Sequence, residues 1–247
     1  MQIHQELTTN EGVLRGYLHK PKKAKKYPLV IMYHGFTGHK VENRFLFVQY
    51  SRFLSTHNIA SLRFDFLGSG ESDQDFSYMT LSREVSDAKA IFEYAKSLPN
   101  ISEIIVMGLS MGGVIATQIA KTYYADVAKL ILWAPAGMIK EALIAREKDY
   151  HPLPNGNYDL GGIELNPLFI EDVKSYDFHN GINIFQNPVA IFHGLEDNIV
   201  PLSVSQNYQK RYQNCQLFTY ENCGHTFTNV LGRKNLFFDN IKFILNK

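Results

Sequence analysis

Cysteine is nearly absent, with two residues, Cys215 and Cys223, in a chain of 247. That is too few for a disulfide framework. No His/Cys/carboxylate cluster has metal-ligand spacing either, so the pair reads as free thiols and no metal is expected. An excess of either charge is also missing: 25 Lys and Arg stand against 24 Asp and Glu, a formal net charge of +1. No broad field therefore favours nucleic acid or an anionic membrane as a partner. The basic cluster Lys20, Lys22, Lys23, Lys25 and Lys26 around Pro21 reads as a solvated loop. No apolar run approaches the ~18 residues that a membrane span needs. The start, Met1-Gln2-Ile3-His4-Gln5-Glu6, lacks the basic and apolar regions of a secretory signal, so a soluble cytoplasmic protein is expected. Internal repeats and low-complexity segments are absent. Gly68-Ser69-Gly70 resembles a phosphate cradle, but the third glycine of G-x-G-x-x-G would fall at Asp73 and no lysine follows, so no nucleotide cofactor is expected.

What remains is the profile of one globular domain over residues 1–247, 45% hydrophobic and 20% charged. Alternating stretches at 3–7 and 13–18, separated by Asn10-Glu11-Gly12, predict an antiparallel hairpin at a sheet edge. The continuously apolar 29–33 predicts a strand buried on both faces of a parallel sheet. A Gly-rich turn, His34-Gly35-Phe36-Thr37-Gly38, and a helix over about 43–57 follow. Strands are expected at 59–65, 103–109, 129–134, 188–193 and 215–220. Helices are expected from Thr80, where Val85, Ala88, Ile91, Phe92 and Ala95 share a face, and over about 111–123, 203–212 and 234–245. Strands alternating with helices imply a doubly wound α/β sheet, mostly parallel, with the loops after the strands gathered at one edge. The alternation fails between about 136 and 187. This segment has a short helical piece at 138–148, Pro/Asn/Gly-rich chain and scattered aromatics, and it reads as a cap insertion over a site.

The strand at 103–109 runs into Gly108-Leu109-Ser110-Met111-Gly112, a Gly-x-Ser-x-Gly, with an Ala/Ile-rich helix directly behind it. Strand, sharp turn and helix are what a nucleophile elbow requires, although serine is also a common helix N-cap. Two further strand-end loops carry Asp197 and His225, in the chain order Ser, Asp, His. With these residues on the page, the sequence resembles the α/β-hydrolase superfamily over nearly its whole length. The carriers are His34 to Gly38, the Asp65 to Ser72 loop, Gly108 to Gly113, Gly194-Leu195-Glu196-Asp197-Asn198-Ile199-Val200-Pro201 and Gly224-His225. The His-Gly-Phe-Thr-Gly turn and the insertion after Ala134 resemble the bacterial feruloyl/cinnamoyl esterases and related small carboxylesterases.

The resemblance implies an α/β-hydrolase fold and a serine esterase working through an acyl-enzyme. Ser110 would be the nucleophile, His225 the base and Asp197 its orienting carboxylate, favoured over Glu196 by the Gly194-x-x-Asp197 spacing. The backbone amides of Phe36 and Met111 would form the oxyanion hole. His34 and His193 are expected to shape loops, and His4, His19, His39, His57, His151 and His179 to lie at the surface. Many relatives have His and Gln around the nucleophile where this chain has Leu109 and Met111, which makes the pocket more apolar. The expected substrate is a short-to-medium acyl or arylacyl ester, hydroxycinnamoyl esters being one candidate class. A monoacylglycerol lipase, a thioesterase and an aminoacyl peptidase share the triad, and a non-catalytic binding protein is the rival outside enzymes. No nucleic acid or membrane span is expected, and a homodimer is compatible with the sequence.

Overall fold

The structure, a computed structural model, describes residues 1–22, 24–146 and 150–246. Lys23 of the basic cluster and residues 147 and 148 of the expected helix lie outside them. Eight strands form one sheet in the order β1-β2-β4-β3-β5-β6-β9-β10. Strand β1 (Gln2–Thr8) is the edge, and it pairs antiparallel with β2 (Val13–His19), which pairs antiparallel with β4 (Ala60–Phe64). From there the pairing is parallel through β3 (Tyr27–Tyr33), β5 (Ile101–Leu109), β6 (Val127–Trp133), β9 (Val189–Gly194) and β10 (Cys215–Tyr220).

The period-2 alternation of strand side chains sorts the core into two layers. Leu29, Ile31, Val106, Leu130, Leu132 and Ile191 face one side, with α2 (Leu81–Ser97) and α3 (Met111–Thr122). Val30, Met32, Met107, Ile131, Trp133 and Phe192 face the other, with α1 (Leu46–Thr56) and α7 (Val230–Leu245). Each central strand is apolar throughout because both of its faces are covered. Helix α7 starts four residues earlier than the periodicity predicts, capped by the Asn229 side chain, which accepts from the amides of Leu231 and Gly232.

The chain moves from β3 outward to β4 and then returns to place β5 on the other side of β3. This is a topological switch point, and it opens a crevice at the carboxyl ends of β3 and β5. Between β6 and β9 runs the insertion. It contains α4 (Ile139–Arg146), the two-residue strands β7 (Tyr158–Asp159) and β8 (Glu164–Leu165), α5 (Pro167–Ser175) and a 3-10 turn at Ile182–Ile184. Asp172 of α5 accepts from the amide and hydroxyl of Ser82 at 2.7 and 2.6 Å, tying the insertion to the start of α2. Helix α6 (Leu202–Arg211) then links β9 to β10.

One histidine departs from expectation. His19 ends β2 between two partner strands and is 8% exposed rather than at the surface. Burial, with the nearby N-terminal charge and Arg63 and Arg52, pulls its pKa down to about 4.

Candidate active site

Strand β5 ends at Ser110, whose φ of 57° and ψ of −122° are a conformation that non-glycine residues rarely adopt. The bend is held by the Ser110 amide, which donates to the Trp133 carbonyl at 2.9 Å, and by its carbonyl, which accepts from Gly113 and Ala136. The turn is this tight because two glycines let backbone cross backbone. A Cβ on Gly108 would lie 1.9 Å from the Gly112 carbonyl oxygen, and one on Gly112 would lie 2.2 Å from that of Tyr33. Although Ser110 precedes α3, its side chain makes no capping hydrogen bond. The N-cap explanation of this serine therefore falls away.

Asp197 and His225 meet on loops that follow β9 and β10. His225 Nδ1 donates to Asp197 Oδ2 at 2.7 Å, and the carboxylate side chain is fully buried. A carboxylate only accepts, so this bond places the proton on Nδ1 and leaves Nε2 as the lone-pair nitrogen. The other oxygen, Oδ1, accepts from the amides of Ile199 and Val200, both at 2.9 Å. Burial alone would raise the Asp197 carboxyl, but the His225 hydrogen bond and charge, with the two amides, outweigh it and hold the group below the ordinary aspartate value. His193 supports the same loop from below, with Nε2 2.9 Å from the Val200 carbonyl and Nδ1 2.7 Å from the Ser205 hydroxyl. Burial lowers its pKa in spite of the attraction of Asp197, which keeps this second imidazole neutral. Glu196, the rival acid, is not the partner of His225.

The turn after β3 brings Phe36 to the crevice. Its neighbour Gly35 lies against the elbow, where a built Cβ would sit 3.3 Å from Ser110 Cβ. The shape of the turn depends on a residue that sequence reasoning passed over. Glu42, 8% exposed and at φ 58°, accepts from the Gly35 amide at 2.8 Å through Oε1 and from the Asn43 amide through Oε2. Next to it Lys40 is buried, its Nζ 2.5 Å from Asp65 and 2.6 Å from Glu71. His34 Nε2 accepts from the Phe66 amide at 3.1 Å, which joins this turn to the loop after β4. The Phe36 ring stacks on Phe169 of α5, with centroids 5.1 Å apart, and meets Phe76 edge-on.

Ser110, His225, Phe36 and Met111 line one cavity of about 490 Å³. Its far wall is aliphatic, from Met138, Ile139, Ala142 and Leu143, and Thr37, Tyr150 and Asn198 supply polar atoms. Asp197 lies behind His225 rather than on the cavity surface. Among the described residues, the amides of Phe36 and Met111 have no recorded acceptor. Among the described residues, no group of three or more His, Cys, Asp or Glu side chains is placed to hold a metal ion, and no helix is long and apolar enough to cross a membrane.

This fold, an eight-stranded mostly parallel sheet with the Gly-x-Ser-x-Gly elbow at its switch point, is that of the α/β-hydrolase superfamily. Within it, residues 24–153 match the family described as Serine aminopeptidase, S33, and the chain belongs to that family. Est1E from Butyrivibrio proteoclasticus, solved with ferulic acid bound, superposes with a TM-score of 0.87 at 29% identity over 98% of each chain. Monoacylglycerol lipase ABHD6 from Homo sapiens is 24% identical over 84% of this chain and 72% of its own length. Alpha/beta hydrolase domain-containing protein 10 from mouse shares the fold, with a TM-score of 0.79 at 22% identity over 98% of each chain.

Proposed function

We propose that the chain is a serine carboxylic-ester hydrolase that works through an acyl-enzyme. The observation carrying this reading is an imidazole bonded to a buried carboxylate at 2.7 Å, on the same cavity as an elbow serine whose hydroxyl caps nothing. Ser110 Oγ attacks the ester carbonyl while His225 Nε2 takes its proton, and Asp197 stabilises the imidazolium and fixes its tautomer. The oxyanion accepts from the Phe36 and Met111 amides. Collapse breaks the bond to the alcohol, which leaves with the proton from His225. Water then repeats the sequence in reverse roles and frees the acid.

The cavity lining supports the substrate class. Met138, Ile139, Ala142 and Leu143 suit a short-to-medium acyl or arylacyl chain, and the insertion acts as the cap over it. The likeness to Est1E supports including hydroxycinnamoyl esters, and that to ABHD6 supports including monoacylglycerols.

The test is a panel of p-nitrophenyl esters from acetate to dodecanoate, with methyl ferulate, a monoacylglycerol, a thioester and an aminoacyl naphthylamide. Esters should be turned over and the naphthylamide left intact. Ser110→Ala should lose at least about 10³-fold in kcat and all fluorophosphonate labelling, and Asp197→Asn roughly 10⁴-fold through the wrong tautomer. Labelling that survives Ser110→Ala would overturn the assignment.

A further inference from the structure

Away from the cavity just described, the start of α7 and the turn before α1 enclose a second hollow of about 310 Å³. Three cations line it: Arg44 from the turn, and Arg233 and Lys234 from the first turns of α7, with Phe237 and Val230 also in the wall. Arg233 is 8% exposed, and its guanidinium bonds only neutral oxygens. These are the Phe227 carbonyl at 3.0 Å, the Arg44 carbonyl at 3.1 Å, and Gln49 Oε1 and the Thr226 carbonyl at 3.3 Å. Among the described residues, none of the three cations has a carboxylate within 4.0 Å. Elsewhere on this chain buried Lys40 is paired with acids, whereas buried Arg63 and Lys129 bond carbonyl oxygens as Arg233 does; what sets this hollow apart is that three cations share it. Here burial and the neighbouring Arg44 charge push the Arg233 pKa down, the mark of positive charge held without its counterion.

Val230 of the lining, and Phe45 and Leu231 next in sequence to Arg44 and Val230, are exposed apolar residues. Phe45 is 65% exposed, Val230 71% and Leu231 70%. Scattered surface apolar residues need no explanation, but these three adjoin the cation hollow, and the chain is strained to hold one of them there. Glu42, Arg44 and Phe45 all have positive φ, at 58°, 50° and 61°. The patch also borders the candidate active site. Asn43 Nδ2 donates to the hydroxyl of Thr226, the residue after His225, at 2.9 Å. The one acid in the turn, Glu42, is buried and faces inward to Gly35.

We propose that this corner of the rim docks on an anionic lipid surface, with a headgroup phosphate in the Arg44/Arg233/Lys234 hollow and Phe45, Val230 and Leu231 in the apolar layer beneath. Cations flanking exposed apolar side chains are the complement of such a surface. A net charge of +1 conceals it, because the acids that balance the total lie elsewhere. The inference stands on this surface alone and is independent of the ester chemistry.

The test is co-sedimentation of the purified protein with phosphatidylcholine vesicles, with and without phosphatidylglycerol, at low and high salt. Binding should require the anionic lipid and weaken with salt. Arg44→Gln with Lys234→Gln should lower partition about ten- to thirty-fold, the loss of two interfacial cations. Phe45→Ser with Val230→Ser and Leu231→Ser should lower it further, and unchanged thermal midpoints should show that the variants fold. The inference is overturned by absence of binding at low salt, by equal binding to neutral vesicles, or by binding that both sets of variants leave intact. It is also overturned if inorganic phosphate raises the thermal midpoint while vesicles leave the protein in the supernatant, since the hollow would then serve a free anion.

Discussion

Glu42 shows how a single side chain can set the geometry of a turn without touching substrate. Its Oε1 holds the Gly35 amide at 2.8 Å, and Gly35 adjoins the Phe36 amide assigned to the oxyanion. Glu42→Ala should therefore lower kcat for the best ester of the panel by roughly 10²-fold with little change in KM, since the donor matters most when charge develops. Glu42→Gln should recover most of the rate, because an amide oxygen still accepts from Gly35. Equal losses in both variants would assign the effect to charge instead. Gly112→Ala acts on the same neighbourhood through sterics. A Cβ 2.2 Å from the Tyr33 carbonyl must push the start of α3 away from β3, so thermal unfolding should show a loss of about 3 kcal/mol or more, or no folded protein. At this scale a motif and a chain order single out Ser110, Asp197 and His225 as the candidate site. Glu42 and Lys40 were hidden, since a lone charged residue in a turn carries no period. His19 was misplaced because its burial comes from a strand pairing that spans more than forty residues of chain.

Helix α2 carries a stored cost that pH should reveal. Asp87 is buried on it and accepts from the Leu67 amide at 2.8 Å. Burial, against that hydrogen bond and helped by Glu11, raises its pKa to about 7. Between the ordinary aspartate value of about 3.9 and that point, the folded chain holds a proton the unfolded chain has released. Stability is therefore lost as pH rises through this window and is level above it. Buried Glu84, also raised by burial, adds to the slope. The buried imidazoles of His19 and His193, whose pKa values are lowered, act in the opposite direction in both proteins, so the test is a difference: from pH 5 to 8 the parent's denaturant midpoint should lose more, or gain less, than that of Asp87→Asn, whose side-chain oxygen can still accept from Leu67. The same change in midpoint from pH 5 to 8 in the parent and in Asp87→Asn would contradict this. The strands and the helices between them were legible as elements because periodicity marks them. The start of α7 was not, because Gly232 reads as a breaker, whereas here the missing Cβ makes room for Cys223 Sγ, 2.0 Å from where it would stand. Strands β7 and β8 are two residues each, too short for any alternation to register.

For the molecule as a whole, the parallel class of the sheet could be read from strand-helix alternation, but the lateral order could not. Which strand lies beside which is decided by pairings between distant segments, such as β6 with β9 across the insertion. Those two are parallel neighbours, so the chain leaving β6 at the catalytic edge must be carried back to the opposite edge before β9 begins. Elsewhere in this sheet a packed helix makes that return journey. Here the 136–187 segment makes it, and a six-residue strand such as β9 is about 20 Å long. The segment that lends Met138, Ile139, Ala142 and Leu143 to the cavity lining is thus also the return path on which the second half of the fold depends. Replacing it with a two-residue turn should leave a chain that cannot align β9 beside β6, and circular dichroism with limited proteolysis should find no folded product.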